Sequence, residues 1–309
     1  MDSSERWGII YDPEAGTRKV QRRWNNIKSH LDSLGVKYDY VQSEGLGSVE
    51  RLTRLLADNG YRTIVIVGGD GALNDVINGI MLSKAIDREN IAIGIIPNGL
   101  GNDFAKYWDL STDYREAIDT IYKGNKRRID VGSCYYFDGE KHQVRYFLNA
   151  MNIGLGPRIV KISNKCKRFW GTKSLSYLMA LISIIFERTQ YRTHLKINNE
   201  HIRGKYMTIC IGNACGYGQT PSAVPYNGWL DVSVISRPKG LQVLSGIWML
   251  LQGRLLNHKQ VQAFRTQHIK VLRAENASVD LDGRILDRHM PLEIGILHEA
   301  ISLYIPSYN

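Results

Sequence analysis

Three glycines and a carboxylate share one short stretch, Val67-Gly68-Gly69-Asp70-Gly71-Ala72-Leu73-Asn74. Glycines there let backbone N–H groups approach an anion with no Cβ in the way. Asp70 does not suit a purely cradling loop, because a carboxylate repels phosphate. Beside a phosphate it suits a different role, as a proton acceptor or through a cation. A second turn of this kind follows in Pro97-Asn98-Gly99-Leu100-Gly101-Asn102-Asp103-Phe104. Near the C-terminus Val279-Asp280-Leu281-Asp282-Gly283-Arg284 adds two more carboxylates and a guanidinium. Read alone, each stretch is also compatible with a tight turn or helix cap and no ligand.

The surrounding patterns place these groups. The run Ile64-Val65-Ile66-Val67 reads as a buried strand, and Leu73, Val76, Ile77, Ile80 and Met81 repeat at helical spacing. The first glycine turn thus joins a strand end to a helix start, where unpaired amides and the positive end of the helix dipole converge. Trp7-Gly8-Ile9-Ile10-Tyr11, Val36–Val41 and Ile91–Ile96 read as further strands, alternating with helices marked by Trp24, Ile27 and Leu31, by Leu52, Leu55 and Leu56, and by Ala117, Ile118 and Ile121. Strand–helix alternation predicts a parallel sheet with helices on both faces, and ligands in such sheets bind beyond the carboxyl ends of the strands. Loops 12–16, 68–74 and 97–103 are therefore expected to face one crevice, and Lys126–Gly132 leads out of this half. After Gly132 strand-like segments dominate, at 145–151, 193–197, 205–211 and 230–235, with helices expected over 173–186 and 241–256.

Composition narrows the chemistry. The chain has 309 residues, a natural length for two domains, and a net charge of +10, which favours acidic partners. Between Arg158 and Lys205 lie eleven Lys/Arg and only Glu187 and Glu200 as acids. Lys161–Lys173, with Phe169 and Trp170, reads either as a solvated face or as a contact with an anionic membrane surface. Nucleic acid fits less well, since no recognised binding motif is present. No G-x-G-x-x-G lies at a strand–helix turn, and G-x-x-x-x-G-K-[ST] and zinc spacings are absent. The polar start and the short apolar run at 178–186 point to a soluble, cytoplasmic chain.

Gly68-Gly69-Asp70-Gly71-Ala72-Leu73-Asn74-Asp75-Val76-Ile77-Asn78-Gly79 resembles the nucleotide motif of the diacylglycerol kinase catalytic domain, shared by bacterial diacylglycerol and other lipid kinases and by sphingosine kinases. Pro97–Ala105 is similar to that family's second motif, and the likeness runs from about Trp7 to Ile305. The resemblance implies an α/β fold with a Rossmann-like nucleotide-binding domain over 1–132, a β-sandwich-like lipid domain over 133–290, and a C-terminal segment, 291–309, that returns to the first domain. It implies ATP and Mg2+ as cofactors and a lipid substrate at the inner membrane surface, where the enzyme is peripheral. It leaves the oligomeric state unknown.

By position, the resemblance implies nucleotide contacts from Asp12, Gly16 and Ser43, from Gly68 to Asn74, and from Leu100, which replaces a threonine. Asn98, Gly99, Gly101, Asn102 and Asp103 are expected near phosphate or substrate. Asp130 matches an aspartate near the catalytic magnesium. Val224, Asn227 and Trp229 stand where some bacterial members hold a structural magnesium, with Asn227 in place of an aspartate. Asp282-Gly283 matches the Asp-Gly-Glu motif, but Arg284 replaces the glutamate and cannot accept a proton. Asp70 and Asp282 are then the expected bases; alternatively Arg284 bonds a phosphate or an acidic headgroup. Three readings follow: an ATP-dependent lipid kinase, a soluble-acceptor kinase such as NAD kinase, and a sensor with weakened catalysis.

Overall fold

The computed structural model describes residues 6–13, 20–45, 47–99, 101–155, 190–215, 219–238, 242–286 and 289–307. Chain order begins β1 (Trp7–Tyr11), α1 (Val20–Ser33), β2 (Tyr38–Gln42), α2 (Ser48–Asp58), β3 (Thr63–Gly68), α3 (Asp70–Met81), β4 (Ala92–Pro97), α4 (Asp103–Tyr107) and α5 (Tyr114–Lys123). It continues β5 (Lys126–Phe137), β6 (His142–Phe147), β7 (Ala150–Gly154), β8 (Tyr191–Ile197), β9 (Glu200–Tyr206), β10 (Thr208–Gly212) and β11 (Leu230–Ile235). Last come α6 (Gln242–Leu251), β12 (Val261–Thr266), β13 (His268–Ala274), β14 (Val279–Leu281), β15 (Arg284–Ile285) and β16 (His289–Tyr304). Two compact units divide the chain: Met1–Ile129 with Glu299–Asn309, and Asp130–His298.

In the first unit β2, β1, β3 and β4 lie side by side, all parallel. β3 and β4 are buried along their whole length, as their unbroken apolar runs require of central parallel strands. Trp24, Ile27 and Leu31 of α1 and Ala117, Ile118 and Ile121 of α5 cover the sheet. Asp113 caps α5 by accepting the Arg115 N–H at 2.8 Å, and Gly124 ends it at φ 80°. The end of β16 adds to this sheet, with Ser302 and Leu303 parallel to Ala92 and Ile93. Because β1 lies between β2 and β3, the connections leave it in opposite directions, and the switch point falls between β1 and β3.

The second unit is a sandwich of antiparallel strands. One sheet runs β12-β11-β10-β7-β14-β15. The other joins β16, β13, β8 and β9, with β5 pairing β16 and β6. Met151, Ile153, Ile209, Ile211, Val232, Val279 and Leu281 of the first sheet share one core with Leu195, Ile269, Val271, Leu292 and Ile294 of the second. The alternate residues of that first sheet include a polar row in direct register: Ser233, Cys210, Asn152 and Asp280, all buried.

Several expectations change in detail. Lys126–Gly132 leads out of the first unit as expected, and does so as the start of β5, whose first three residues are exposed and basic. The strand expected over 145–151 is two strands, broken at Leu148-Asn149, and the one over 205–211 breaks at Met207. The helix over 241–256 stops at Leu251, where Gly253 turns at φ 68° and a short 3-10 turn follows. The helix expected over 173–186 and the basic stretch 161–173 lie outside the described residues. No helix among the described residues is long and apolar enough to cross a membrane.

Candidate active site

In the first unit the loops that follow β1, β2, β3 and β4 share the carboxyl edge of the sheet. Asp12 follows β1 and donates its N–H to the carbonyl of Val67 at 3.1 Å, so it sits beside the first glycine turn at the switch point. Ser43 follows β2; its hydroxyl donates to Asp12 Oδ1 at 2.8 Å, and its N–H to the Tyr11 carbonyl. Asn98 follows β4 and donates its N–H to the Gly68 carbonyl at 2.8 Å. Asp12, Gly68–Gly71, Asn98, Gly99 and Gly101–Asp103, from loops expected to face one crevice, are thus neighbours, and Ser43, placed with them by the family resemblance, joins them. Gly16 and Leu100 lie outside the described residues.

The two glycine turns touch through their main chains. A Cβ built on Gly99 would lie 2.4 Å from the Gly69 Cα, and one on Gly69 would lie 2.9 Å from the Gly99 Cα. Only hydrogen side chains permit that approach. Asn102 holds the second turn closed in a left-handed conformation, φ 53°, accepting the Gly99 N–H and donating to the Gly99 carbonyl, both at 3.0 Å.

Asp70 opens α3 and bridges to the other turn. Its Oδ2 accepts the Asp103 N–H at 3.0 Å and its Oδ1 the Phe104 N–H at 3.1 Å, so a residue of α3 caps α4. Burial, with Asp103 nearby, raises its pKa above the ordinary aspartate value, against the lowering effect of main-chain N–H donors. Helix α3 itself has no side-chain cap, and its first turn follows the glycines directly. Asn74 lies one turn further in. It is buried, its side chain takes a hydrogen bond from Asn78 Nδ2, and its N–H belongs to the helix ladder rather than to the loop. Ala72 and Leu73 are buried against the core. A cation unmarked by any sequence pattern joins this edge: Arg23 of α1 donates through Nη2 to the carbonyls of Pro97 and Thr112, at 3.0 and 2.9 Å.

In the second unit Asp282 and Gly283 form the two-residue turn between β14 and β15, at φ 49° and 82°. Asp282 is buried and its carboxylate holds the β6–β7 break together: Oδ2 accepts the Leu148 N–H at 2.7 Å, and Oδ1 those of Asn149 and Ala150 at 2.9 Å. Arg284 is half-buried on β15, opposite Leu281. Asp280, two residues before Asp282, is fully buried. Its Oδ1 accepts from Asn152 Nδ2 and the Gly283 N–H, while its Oδ2 and Asn152 Oδ1 have no partner among the described residues. Burial pushes its pKa up to about 7.

The residues expected to hold magnesium do not fit that ion. Asp130 Oδ2 accepts the Gly228 N–H and its Oδ1 faces His298 Nδ1, each at 2.7 Å. The Val224 carbonyl takes the N–H groups of Tyr226 and Asn227, and Asn227 Oδ1 takes the Trp229 N–H at 2.9 Å. A hard cation needs a shell of free oxygens, preferably charged; here the Asp130, Val224 and Asn227 oxygens already face hydrogen-bond partners and an amide replaces the carboxylate. Among the described residues no three His, Cys, Asp or Glu side chains group closely enough to hold a metal.

Comparison with known proteins agrees with this architecture. Residues 6–134 match the family described as diacylglycerol kinase catalytic domain, and residues 149–305 match the YegS C-terminal NAD kinase beta sandwich-like domain. A diacylglycerol kinase of Staphylococcus carnosus is 23% identical over 306 residues, covering 96% of this chain and 94% of that one. One from Staphylococcus saprophyticus is 24% identical over 307 residues, covering 97% and 95%. A crystal structure titled as a diacylglycerol kinase from Bacillus anthracis superimposes with a TM-score of 0.71 at 17% identity, covering 98% of this chain and 97% of that one. With both of its halves matched in the order the two units occur, the chain belongs to the diacylglycerol kinase catalytic-domain family of lipid kinases.

Proposed function

We propose that the chain transfers the terminal phosphoryl group of ATP to the hydroxyl of a lipid, with diacylglycerol the first acceptor to test because the curated relatives carry that name. The observation that carries this reading is the contact between the Gly69 and Gly99 turns, with Asp70 bonded across it. Glycine backbone at the start of α3 offers amides to the nucleotide's phosphates, at the switch point where α/β sheets bind such ligands. Asp12 and Ser43 line the adjoining strand ends, and the Asn98–Asp103 turn closes the other side. Magnesium, brought in with the nucleotide, supplies charge neutralisation on the phosphates; no residue of this chain is assigned to it.

Asp70 is the proton acceptor in this proposal. Its oxygens accept main-chain N–H groups at the start of α4, and a raised pKa makes the carboxylate a stronger base. Asp282, holding three N–H groups, positions the β6–β7 break rather than moving a proton. Arg284 is assigned to an anion rather than to the proton, since a guanidinium donates and never accepts. The enzyme works at the membrane surface where its acceptor resides.

Arg284 also favours a second reading, a nucleotide and lipid binder with little turnover. One experiment separates them: the full chain is incubated with γ-labelled ATP, magnesium and a total lipid extract, and the products are read by mass spectrometry. A phosphorylated lipid supports the kinase. ATP retention with no labelled product supports the binder, and label on added NAD instead of lipid supports a soluble acceptor.

A further inference from the structure

Asp130 is the first residue of the second unit and His298 the last, 168 positions apart and 2.7 Å from each other. Asp130 has no exposed surface, and a buried carboxylate must be compensated by donors or by a cation. It sits under the turn Val224-Pro225-Tyr226-Asn227-Gly228, where the family resemblance implies a divalent ion. We infer that the His298 imidazole takes the place of that ion, so that the turn closes on Asp130 through N–H donors and needs no metal.

Hydrogen bonds tie the turn to Asp130 and its neighbours. The Asp130 N–H donates to the Pro225 carbonyl at 2.8 Å, and Asp130 Oδ2 accepts the Gly228 N–H at 2.7 Å. The Gly228 carbonyl accepts from Gln267 Nε2 at 3.0 Å. Asn213 Nδ2 donates to the Asp130 carbonyl at 3.0 Å and to that of Leu148 at 2.8 Å. The remaining carboxylate oxygen, Asp130 Oδ1, meets His298 Nδ1. Gly228 is at φ 72°, and a Cβ there would come 3.2 Å from the imidazole, so the ring lies directly against the turn it supports. A magnesium ion at Oδ1 would have to displace the ring, and imidazole is a poor substitute for an oxygen ligand of a hard ion. The amide of Asn227, bonded to the Trp229 N–H, supplies neither charge nor a free oxygen.

The inference is tested on the full chain without ATP or lipid, so its failure and that of the kinase reading are separable. Purified protein is dialysed against EDTA, its metal content measured by inductively coupled plasma mass spectrometry, and its Tm recorded with chelator and with added magnesium or calcium. No stoichiometric metal is expected, and Tm should agree across the three conditions to within about 1 °C. His298→Ala should lower Tm by roughly 3–10 °C, because it removes a hydrogen-bond partner from a buried carboxylate. His298→Asn, which restores an N–H donor, should recover part of that loss. Retention of one equivalent of divalent metal by the natural chain, or a fall of several degrees on chelation alone, overturns the inference. So does an unchanged Tm in both variants. Should His298→Ala fail to fold, the metal content and chelation response of the natural chain still decide.

Discussion

Gly69 and Gly99 meet main chain to main chain, so that a methyl on Gly99 would lie 2.4 Å from the Gly69 Cα and 2.7 Å from Asn102 Oδ1. The contact joins the end of β3 to the end of β4 and sets the spacing of the amides above them. Gly99→Ala must push the turns apart, and overpacking of this kind costs ~1–3 kcal/mol. Nucleotide affinity, measured by isothermal titration, should fall by at least about tenfold, since ~1.4 kcal/mol is a factor of ten in Kd. An alanine variant with native affinity would mean the phosphates do not lie over this contact.

Asp70 serves both the chemistry and the joint. Asp70→Asn keeps one acceptor for the two amides of α4 and removes the base. Loss of a general base lowers turnover by roughly 10²–10⁴-fold, while ATP binding should change little. Because burial and Asp103 raise the Asp70 pKa, the acid limb of the kcat/KM profile should lie above the ordinary aspartate value of 3.8. Activity then falls as pH drops through that raised value, since a protonated carboxyl cannot accept the hydroxyl proton. An acid limb below the ordinary value would point to a different base.

The sequence carries local signals, and the structure differs where distant residues decide. Ile64–Val67 followed by glycines reads as strand and turn because apolar run and breaker are adjacent, and β3 and α3 occupy those places. Asp282-Gly283 is likewise legible as a hairpin turn. Asp70 capping α4 is not, because helix and cap lie 33 residues apart and neither spacing nor composition links them. His298 against Asp130 leaves no trace in the sequence either, being a contact between the two ends of a unit. Lys126-Arg127-Arg128 gives no strand signal because its charges are exposed, yet it opens β5, in which Ile129–Cys134 are buried. Tertiary pairing outweighs local composition there.

Arg284 tests whether the departure from the family's glutamate is a loss or a change of task. If its guanidinium binds an anionic oxygen in the transfer step, Arg284→Ala removes hydrogen bonds worth ~1.5–3 kcal/mol, or roughly 10–150-fold in kcat/KM for the lipid. Arg284→Lys keeps the charge without the planar fork and should recover only part of this. Arg284→Glu should be as poor as alanine or worse. A rise in turnover with glutamate would instead assign the proton-accepting role to this position and mark the natural chain as weakened.

Asp280 makes a prediction that needs no substrate. Its folded pKa of about 7 lies above the unfolded value near 3.8, because burial disfavours the charged form. Between those two values the folded chain holds a proton that the unfolded chain has released. The Asp280 contribution to stability therefore falls as pH rises from about 4 to 7 and is level above that window. Asp280→Asn removes the titration while keeping an oxygen for the Gly283 N–H and Asn152 Nδ2. Urea unfolding of both chains at pH 5 and pH 8 should show the natural chain losing stability relative to the variant, by on the order of 2–4 kcal/mol. At pH 8 the asparagine chain should be the more stable of the two. A difference between the chains that does not change with pH would place the Asp280 pKa near that of an ordinary aspartate, with the carboxylate ionised in the sheet.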